Sequence, residues 1–158
     1  MLDANLLLSG TISAAGAVTG QAITATAAST NVIDLLVARD IGAGGDPDLM
    51  VNIDCTQTFA TLTSLQISFQ GSADNSTWVD MVMTGALAVA NLVAGARIMR
   101  INVPSWGLNV TGKPPRYLRL NYTVTGSNAT AGILVAYITG ANDQVNPGYN
   151  YPANFVTA

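Results

Sequence analysis

Strict alternation of apolar and polar residues is the feature that most limits what this chain can fold into. Every second residue is apolar in 64–70 (SLQISFQ), in 48–55 (DLMVNIDC) and in 116–124 (RYLRLNYTV). Because successive side chains of a strand point to opposite faces, this pattern predicts three β-strands, each with one buried face. The residues predicted to point inward are Val51, Ile53, Leu65, Ile67, Phe69, Leu118, Leu120 and Tyr122.

Further short strands are predicted between clusters of turn-forming residues. The candidates are 31–37, 77–83, 96–103 and 131–138, with a weaker one at 21–27. The clusters that separate strands are 41–48, 71–76, 104–115 and 125–132. The alanine-rich stretch 85–96 favours loop and strand over helix. Seven or eight short strands at this spacing predict an all-β fold, a jelly-roll-like antiparallel β-sandwich.

The two ends of the chain lack this period of two. A chain of 158 residues is the size of one domain. We therefore predict a single domain with a core at about 20–139, an extended N-terminal arm at 1–19 and an extended C-terminal arm at 140–158. The C-terminal arm carries aromatic residues but only one charged residue, Asp143. Large aromatics are favoured interface anchors, so we predict intersubunit contacts at Tyr149, Tyr151, Phe155 and Trp106.

The charge content limits the possible partners. Only 9% of the residues are charged, against a typical value of about 25%. Such a surface is poorly suited to a free monomer, so we expect a homo-oligomer, a dimer or a trimer. A net charge of -3 with scattered arginines argues against nucleic-acid and membrane partners. The longest apolar stretch, 85–96, is too short to span a bilayer, and the N-terminus lacks the positive charge of a signal peptide, so we expect a soluble protein made without export.

The residue types present also exclude much catalytic chemistry. The sequence contains no histidine, which rules out a Ser-His-Asp triad, a Cys-His pair and a histidine-ligated metal. The single cysteine, Cys55, falls on the alternating pattern of a strand, so a buried, inert thiol is predicted. We expect no enzymatic activity, no catalytic residue and no cofactor.

The aspartate-rich stretch 38–54 allows several readings. Its glycines are followed by carboxylates rather than by lysine, which excludes a phosphate-binding loop. Calcium binding through Asp40, Asp46, Asp48 and Asp54 is one alternative. A glycosidase pair of carboxylates is another. A plain turn is favoured, because glycine, Pro47 and aspartate are the residues that tight turns require.

A carbohydrate-binding β-sandwich is the main alternative function. Trp78, Trp106 and the tyrosines of the C-terminal arm would form a stacking platform for sugar rings. However, Trp78 lies in a strand-like segment, where packing in the core or at an edge is the commoner role.

Four arginines form two pairs with a spacing of three, Arg97 with Arg100 and Arg116 with Arg119. Residues three apart point to opposite faces of a regular strand, so neither pair is predicted to form a one-sided anion clamp. The alternatives are solvated faces, ion pairs within the chain, or contacts with acidic neighbours in an assembly.

The order of segments resembles the capsid cement proteins of short-tailed bacteriophages, a family first known from a Bordetella phage. The resemblance covers about 22–138. Its most specific parts are ASTNVIDL-x3-RDIG (28–42), GARI-x-R (95–100) and RYL-x-L-x-Y-x-VTG-x3-TAG (116–132). It implies a jelly-roll protein without catalytic activity that binds the outside of an icosahedral head and bridges major capsid protein subunits. The implied location is the capsid exterior of the virion, after synthesis in the host cytoplasm.

Overall fold

The computed structural model describes residues 3–39, 41, 49–104 and 114–140. These residues form eleven strands and two one-turn 3-10 helices, Ala4–Leu6 and Val89–Asn91. The strands are β1 (Leu7–Ser9), β2 (Thr11–Ile12), β3 (Val18–Thr19), β4 (Gln21–Ala22), β5 (Ala27–Ala28), β6 (Ile33–Asp34), β7 (Leu49–Ser72), β8 (Val79–Met83), β9 (Leu87–Ala88), β10 (Arg97–Asn102) and β11 (Tyr117–Gly140). No helix in these ranges is long and apolar enough to cross a membrane.

Two strands of 24 residues, β7 and β11, organise the fold by pairing antiparallel along most of their length. Their pairing is irregular in the middle, where the register shifts between Thr125 and Leu134. This irregularity divides the ladder into two parts. Half-sheet I pairs 64–72 of β7 with 117–125 of β11, and half-sheet II pairs 49–57 of β7 with 133–140 of β11.

Short strands extend both half-sheets, and every pairing is antiparallel. In half-sheet I, β8 and β9 pair with β7, while β5 and β6 pair with β11. In half-sheet II, β10 pairs with β7, while β1 and β4 pair with β11. Together these strands form one nine-stranded sheet that curls on itself, and β2 and β3 form a separate two-stranded ladder. The predicted all-β sandwich is confirmed.

The inward faces of the two half-sheets share one hydrophobic core. Phe69 and Leu120 from half-sheet I belong to the same buried cluster as Ile53 and Leu134 from half-sheet II. All eight residues predicted to point inward are at most 1% exposed. Alternation therefore identified the buried face correctly, because a period of two follows directly from strand geometry.

The turn predicted at 125–132 is wrong, since β11 runs through it as a continuous strand with a corner. Gly126 and Gly132 supply positive φ values of 87° and 143° on β11, and Thr61 has a φ of 73° on β7. The Thr61 hydroxyl bonds across the corner, donating to the carbonyl of Asn128 at 2.7 Å and accepting from the N–H of Thr130 at 3.1 Å. Turn-forming residues here bend a ladder instead of ending it, as in a β-bulge.

Part of the segment expected to be an N-terminal arm belongs to the main sheet. Strand β1 pairs with β11, and its Leu8 is fully buried in the core. The hydroxyls of Ser9 and Tyr122, both fully buried, lie 2.6 Å apart and satisfy each other. Alternation cannot identify β1, because all three of its residues are buried and the strand has no exposed face.

The stretch 85–96 forms β9, a single 3-10 turn and a loop, so loop and strand rather than an α-helix is confirmed.

Candidate interaction surfaces

The residues predicted as intersubunit contacts, Trp106, Tyr149, Tyr151 and Phe155, lie outside the described residues. Those contacts stay predictions. Three aspartates of the calcium reading, Asp40, Asp46 and Asp48, also lie outside the described ranges.

Asp54, the fourth of those aspartates, is held by side chains of the neighbouring strands. Its Oδ1 lies 2.9 Å from the Nε of Arg97, and its Oδ2 accepts a hydrogen bond from the hydroxyl of Tyr137 at 2.9 Å. The ion pair raises the pKa of Arg97. Within the described ranges, no three acidic, cysteine or histidine side chains group into a metal site. Asp54 thus has a structural role in joining β7, β10 and β11.

Cys55 points into the core and is 1% exposed. Its thiol donates a hydrogen bond to the carbonyl of Gln57 at 3.1 Å, and burial raises its pKa. A buried thiol with a raised pKa has little thiolate and is a poor nucleophile. The predicted burial is confirmed.

Arg97 and Arg100 do not point to opposite faces of the strand, as their spacing predicts. A register shift between Arg97 and Met99 adds one residue to β10, so Arg97 lies opposite Asp54 and Arg100 lies opposite Asn52. Residues directly opposite each other in a ladder share a face. Both arginines therefore lie on the outward face of half-sheet II, and the prediction failed because it assumed a strand without a bulge.

Neutral polar residues cover most of the outward face of half-sheet I, where Ser68 is buried and its neighbours are at least partly exposed. The cross-strand pairs on this face are Gln70–Arg119, Ser68–Asn121, Gln66–Thr123 and Ser64–Thr125. Several of these side chains bond within the face, for example the amide of Asn121 to the hydroxyl of Thr123 at 3.3 Å. We call these eight residues the polar face. It offers many hydrogen-bonding groups and one positive charge, at Arg119.

Arg119 is held on the polar face by two side chains. Its guanidinium carbon lies 4.0 Å from the centre of the Trp78 ring, and its Nε donates to the Oε1 of Gln70 at 2.8 Å. Gln70 in turn donates to Asp80 at 3.0 Å. The indole face under Arg119 is occupied by the guanidinium, which leaves less of Trp78 for stacking against a sugar ring. This arrangement weakens the hypothesis that the chain is a carbohydrate-binding module.

A second arginine site borders the polar face at the start of β11. Arg116 binds both carboxylate oxygens of Asp34 at 2.8 Å and lies over the ring of Tyr117. Its guanidinium holds the pKa of Asp34 below the usual value. Asp34 also accepts a hydrogen bond from the N–H of Leu36, which has a φ of 67° and a 73% exposed side chain. The ion pair thus fixes an exposed apolar turn.

Sequence reasoning missed the association of Trp78 with Arg119. The outward position of Arg119 follows from the alternation of 116–124, and Trp78 directly precedes β8. Their contact depends on β8 and β11 both pairing with β7, and short strands do not carry enough pattern to fix that order. The sequence favours a core or edge position for Trp78, and its half-buried place directly before β8 agrees with the edge position.

Comparison with known proteins gives one family match. The model of the Bbp16 family matches residues 17–138, which include both long strands almost entirely. No curated protein matches the sequence.

Proposed function

The chain belongs to the Bbp16 family, a Bordetella phage protein family, and on that premise we propose that it is a cement protein of a phage head. In this role it binds the outside of the shell, bridges neighbouring major capsid protein subunits and performs no catalysis. The observation that carries the proposal is the family match, which covers the resemblance at 28–42, 95–100 and 116–132.

The surface of the chain supports this role. Two of its carboxylates, Asp34 and Asp54, are paired with arginines of the same chain, and the polar face is largely uncharged. Covering neutral polar groups with a partner costs less desolvation than covering unpaired charges. A protein that contacts a shell over much of its surface benefits from such a composition.

Binding to a shell is multivalent, so each contact can be modest. A homo-oligomer, dimeric or trimeric, that attaches to several subunits gains effective concentration for each further contact. The C-terminal arm is proposed to contribute interface anchors through Tyr149, Tyr151 and Phe155. Its prolines, Pro147 and Pro152, lower the entropy lost on docking.

The direct test uses heads assembled without this protein from the major capsid protein of the same phage genome. Purified protein is added, and its occupancy is measured by co-sedimentation and electron microscopy. We expect saturable binding at symmetric positions and a higher disruption temperature of the heads. Absence of binding, or binding that leaves heat resistance unchanged, contradicts the proposal.

Deletion of residues 142–158 tests the proposed role of the C-terminal arm. We expect the truncated protein to keep the far-UV spectrum of a β-sandwich and to occupy the same heads less completely. The full-length protein in the same preparation is the control. Full occupancy and undiminished heat protection by the truncated protein would remove the case for the arm as a clamp.

A further inference from the structure

Arg119 differs from the two described arginines whose partners are known. Arg97 and Arg116 each contact a carboxylate of this chain, at 2.9 and 2.8 Å. No carboxylate in the described part of the chain pairs with Arg119, whose hydrogen bond is to the neutral Gln70. The charge of Arg119 is therefore not neutralised by a direct partner within these ranges.

Electrostatics show the same contrast. Carboxylate partners raise the pKa of Arg97 and Arg116. Partial burial lowers the pKa of Arg119, because desolvation disfavours its charged form and no carboxylate among the described residues offsets that cost. An external anion that bound here would recover this interaction.

The guanidinium of Arg119 is already held in a binding-ready position. Stacking on Trp78 fixes the plane of the guanidinium, and the hydrogen bond from Nε to Gln70 fixes the rotation of the group within that plane. Its two terminal amino groups make no hydrogen bond to the described residues, and two parallel N–H donors match the two oxygens of a carboxylate. The fold already orders this side chain, so little further conformational entropy is lost when a ligand binds.

The surroundings favour a single carboxylate over a polyanion. Asp80, two hydrogen bonds away through Gln70, places a negative charge in the same row. The rest of the polar face is uncharged. A phosphate backbone requires several cations in sequence, whereas one carboxylate flanked by neutral polar groups complements one guanidinium among serine, threonine, asparagine and glutamine.

We propose that Arg119 receives an aspartate or glutamate side chain of the major capsid protein, and that the polar face is the surface that lies on the shell. This inference rests on the proposed function and specifies which face makes the contact. A charge-assisted, bidentate bond at one end of a largely neutral face would set the register of docking.

The test compares Arg119→Gln with Arg116→Gln on the undecorated heads described above. Arg119→Gln is expected to weaken binding by roughly thirtyfold or more, the size of an interface hot spot, with little change in melting temperature. Arg116→Gln removes the ion pair with Asp34 and is the matched control: its stability falls, while its binding stays within about twofold of wild type. Arg119→Lys keeps the charge without the planar fork and is expected to be intermediate.

The outcomes separate this inference from the proposed function. If wild type binds the heads and Arg119→Gln binds equally well, the inference is wrong and the cement function stands. If wild type does not bind, both are wrong. If Arg119→Gln instead changes the oligomeric state in sedimentation velocity, the polar face contacts a second copy of this chain, and the shell contact is overturned. A wild-type affinity that falls with added salt, together with a weaker salt dependence in Arg119→Gln, supports the inference.

Discussion

The corner of the long β7–β11 ladder gives the sharpest prediction, because Gly132 there meets two independent constraints. Its φ of 143° lies in a region that residues with a Cβ rarely adopt. A Cβ added at this position would also overlap the ring of Phe59, which is 3% exposed. Gly132→Ala must therefore strain the backbone and displace a core side chain at once.

The expected loss follows from these two contributions. Backbone strain costs about 1–3 kcal/mol, and overpacking against a core ring costs about 1–3 kcal/mol more. The reduced entropy of the unfolded alanine chain offsets about 0.4–1 kcal/mol. The free energy of unfolding should fall by about 1–6 kcal/mol, a large fraction of the 5–15 kcal/mol typical of a domain.

Two other glycines serve as matched controls in urea denaturation at one fixed protein concentration. Gly16 has a φ of 80° with no atom within 4 Å of an added Cβ, so Gly16→Ala tests a positive φ without steric overlap and should cost about 1–2 kcal/mol. Gly85 has open space and no positive φ, so Gly85→Ala should be neutral or slightly stabilising. Phe59→Leu in the Gly132→Ala background should restore part of the loss, giving a favourable coupling energy.

A loss of stability in Gly132→Ala no larger than in Gly16→Ala would contradict an overlap with Phe59. The overlap is also contradicted if Phe59→Leu adds its full cost to Gly132→Ala, because the two residues would then act independently. Either result would mean that a side chain at position 132 does not press on the ring of Phe59.

Three further predictions concern the core and one ion pair. Phe69→Ala should lower the free energy of unfolding by about 3–5 kcal/mol in the same assay, since its ring is fully buried. Tyr122→Phe leaves the buried Ser9 hydroxyl unpaired and should cost about 1–3 kcal/mol, while adding Ser9→Ala should restore part of that loss; strictly additive losses would contradict the pairing. Arg116 lowers the pKa of Asp34, so the stability that it contributes is present above the unfolded pKa of 3.8 and is lost as pH falls through the lower folded pKa. The melting-temperature difference between wild type and Arg116→Gln should accordingly vanish in acid; a difference that persists at low pH would contradict this assignment.

Strand positions were predictable wherever one face of a strand is buried and the other is exposed. Phe69 and Leu120 could be placed in the core from alternation alone, and both are fully buried. Strand β1 could not be predicted, because Leu7, Leu8 and Ser9 are all buried and carry no alternation. The alternation of apolar and polar residues shows that the two faces of a strand differ in burial. Where both faces are buried there is no alternation, and the strand cannot be recognised from it.

The corner shows a second limit of sequence reasoning. Glycine, serine and asparagine at 125–132 satisfy the requirements of a turn and also those of a bulge, since both need positive φ. What distinguishes them is the partner strand, where Thr61 supplies hydrogen bonds that keep the two strands together. That partner lies more than sixty residues away in sequence, and no local signal specifies it.

The same long-range pairing explains why the candidate docking residue emerged only from the fold. Alternation placed Arg119 outward, but its significance depends on Trp78 and Gln70, which reach it through the pairing of β8 and β11 with β7. The sequence alone does not distinguish Arg116 from Arg119, but in the structure Arg116 is neutralised by Asp34. Two arginines three residues apart thus differ, because within the described residues Arg116 pairs with a carboxylate and Arg119 pairs with none. In a chain with only six basic residues, internal pairing decides which charge remains available to a partner, and attachment to a shell through the polar face should depend on salt mainly through Arg119.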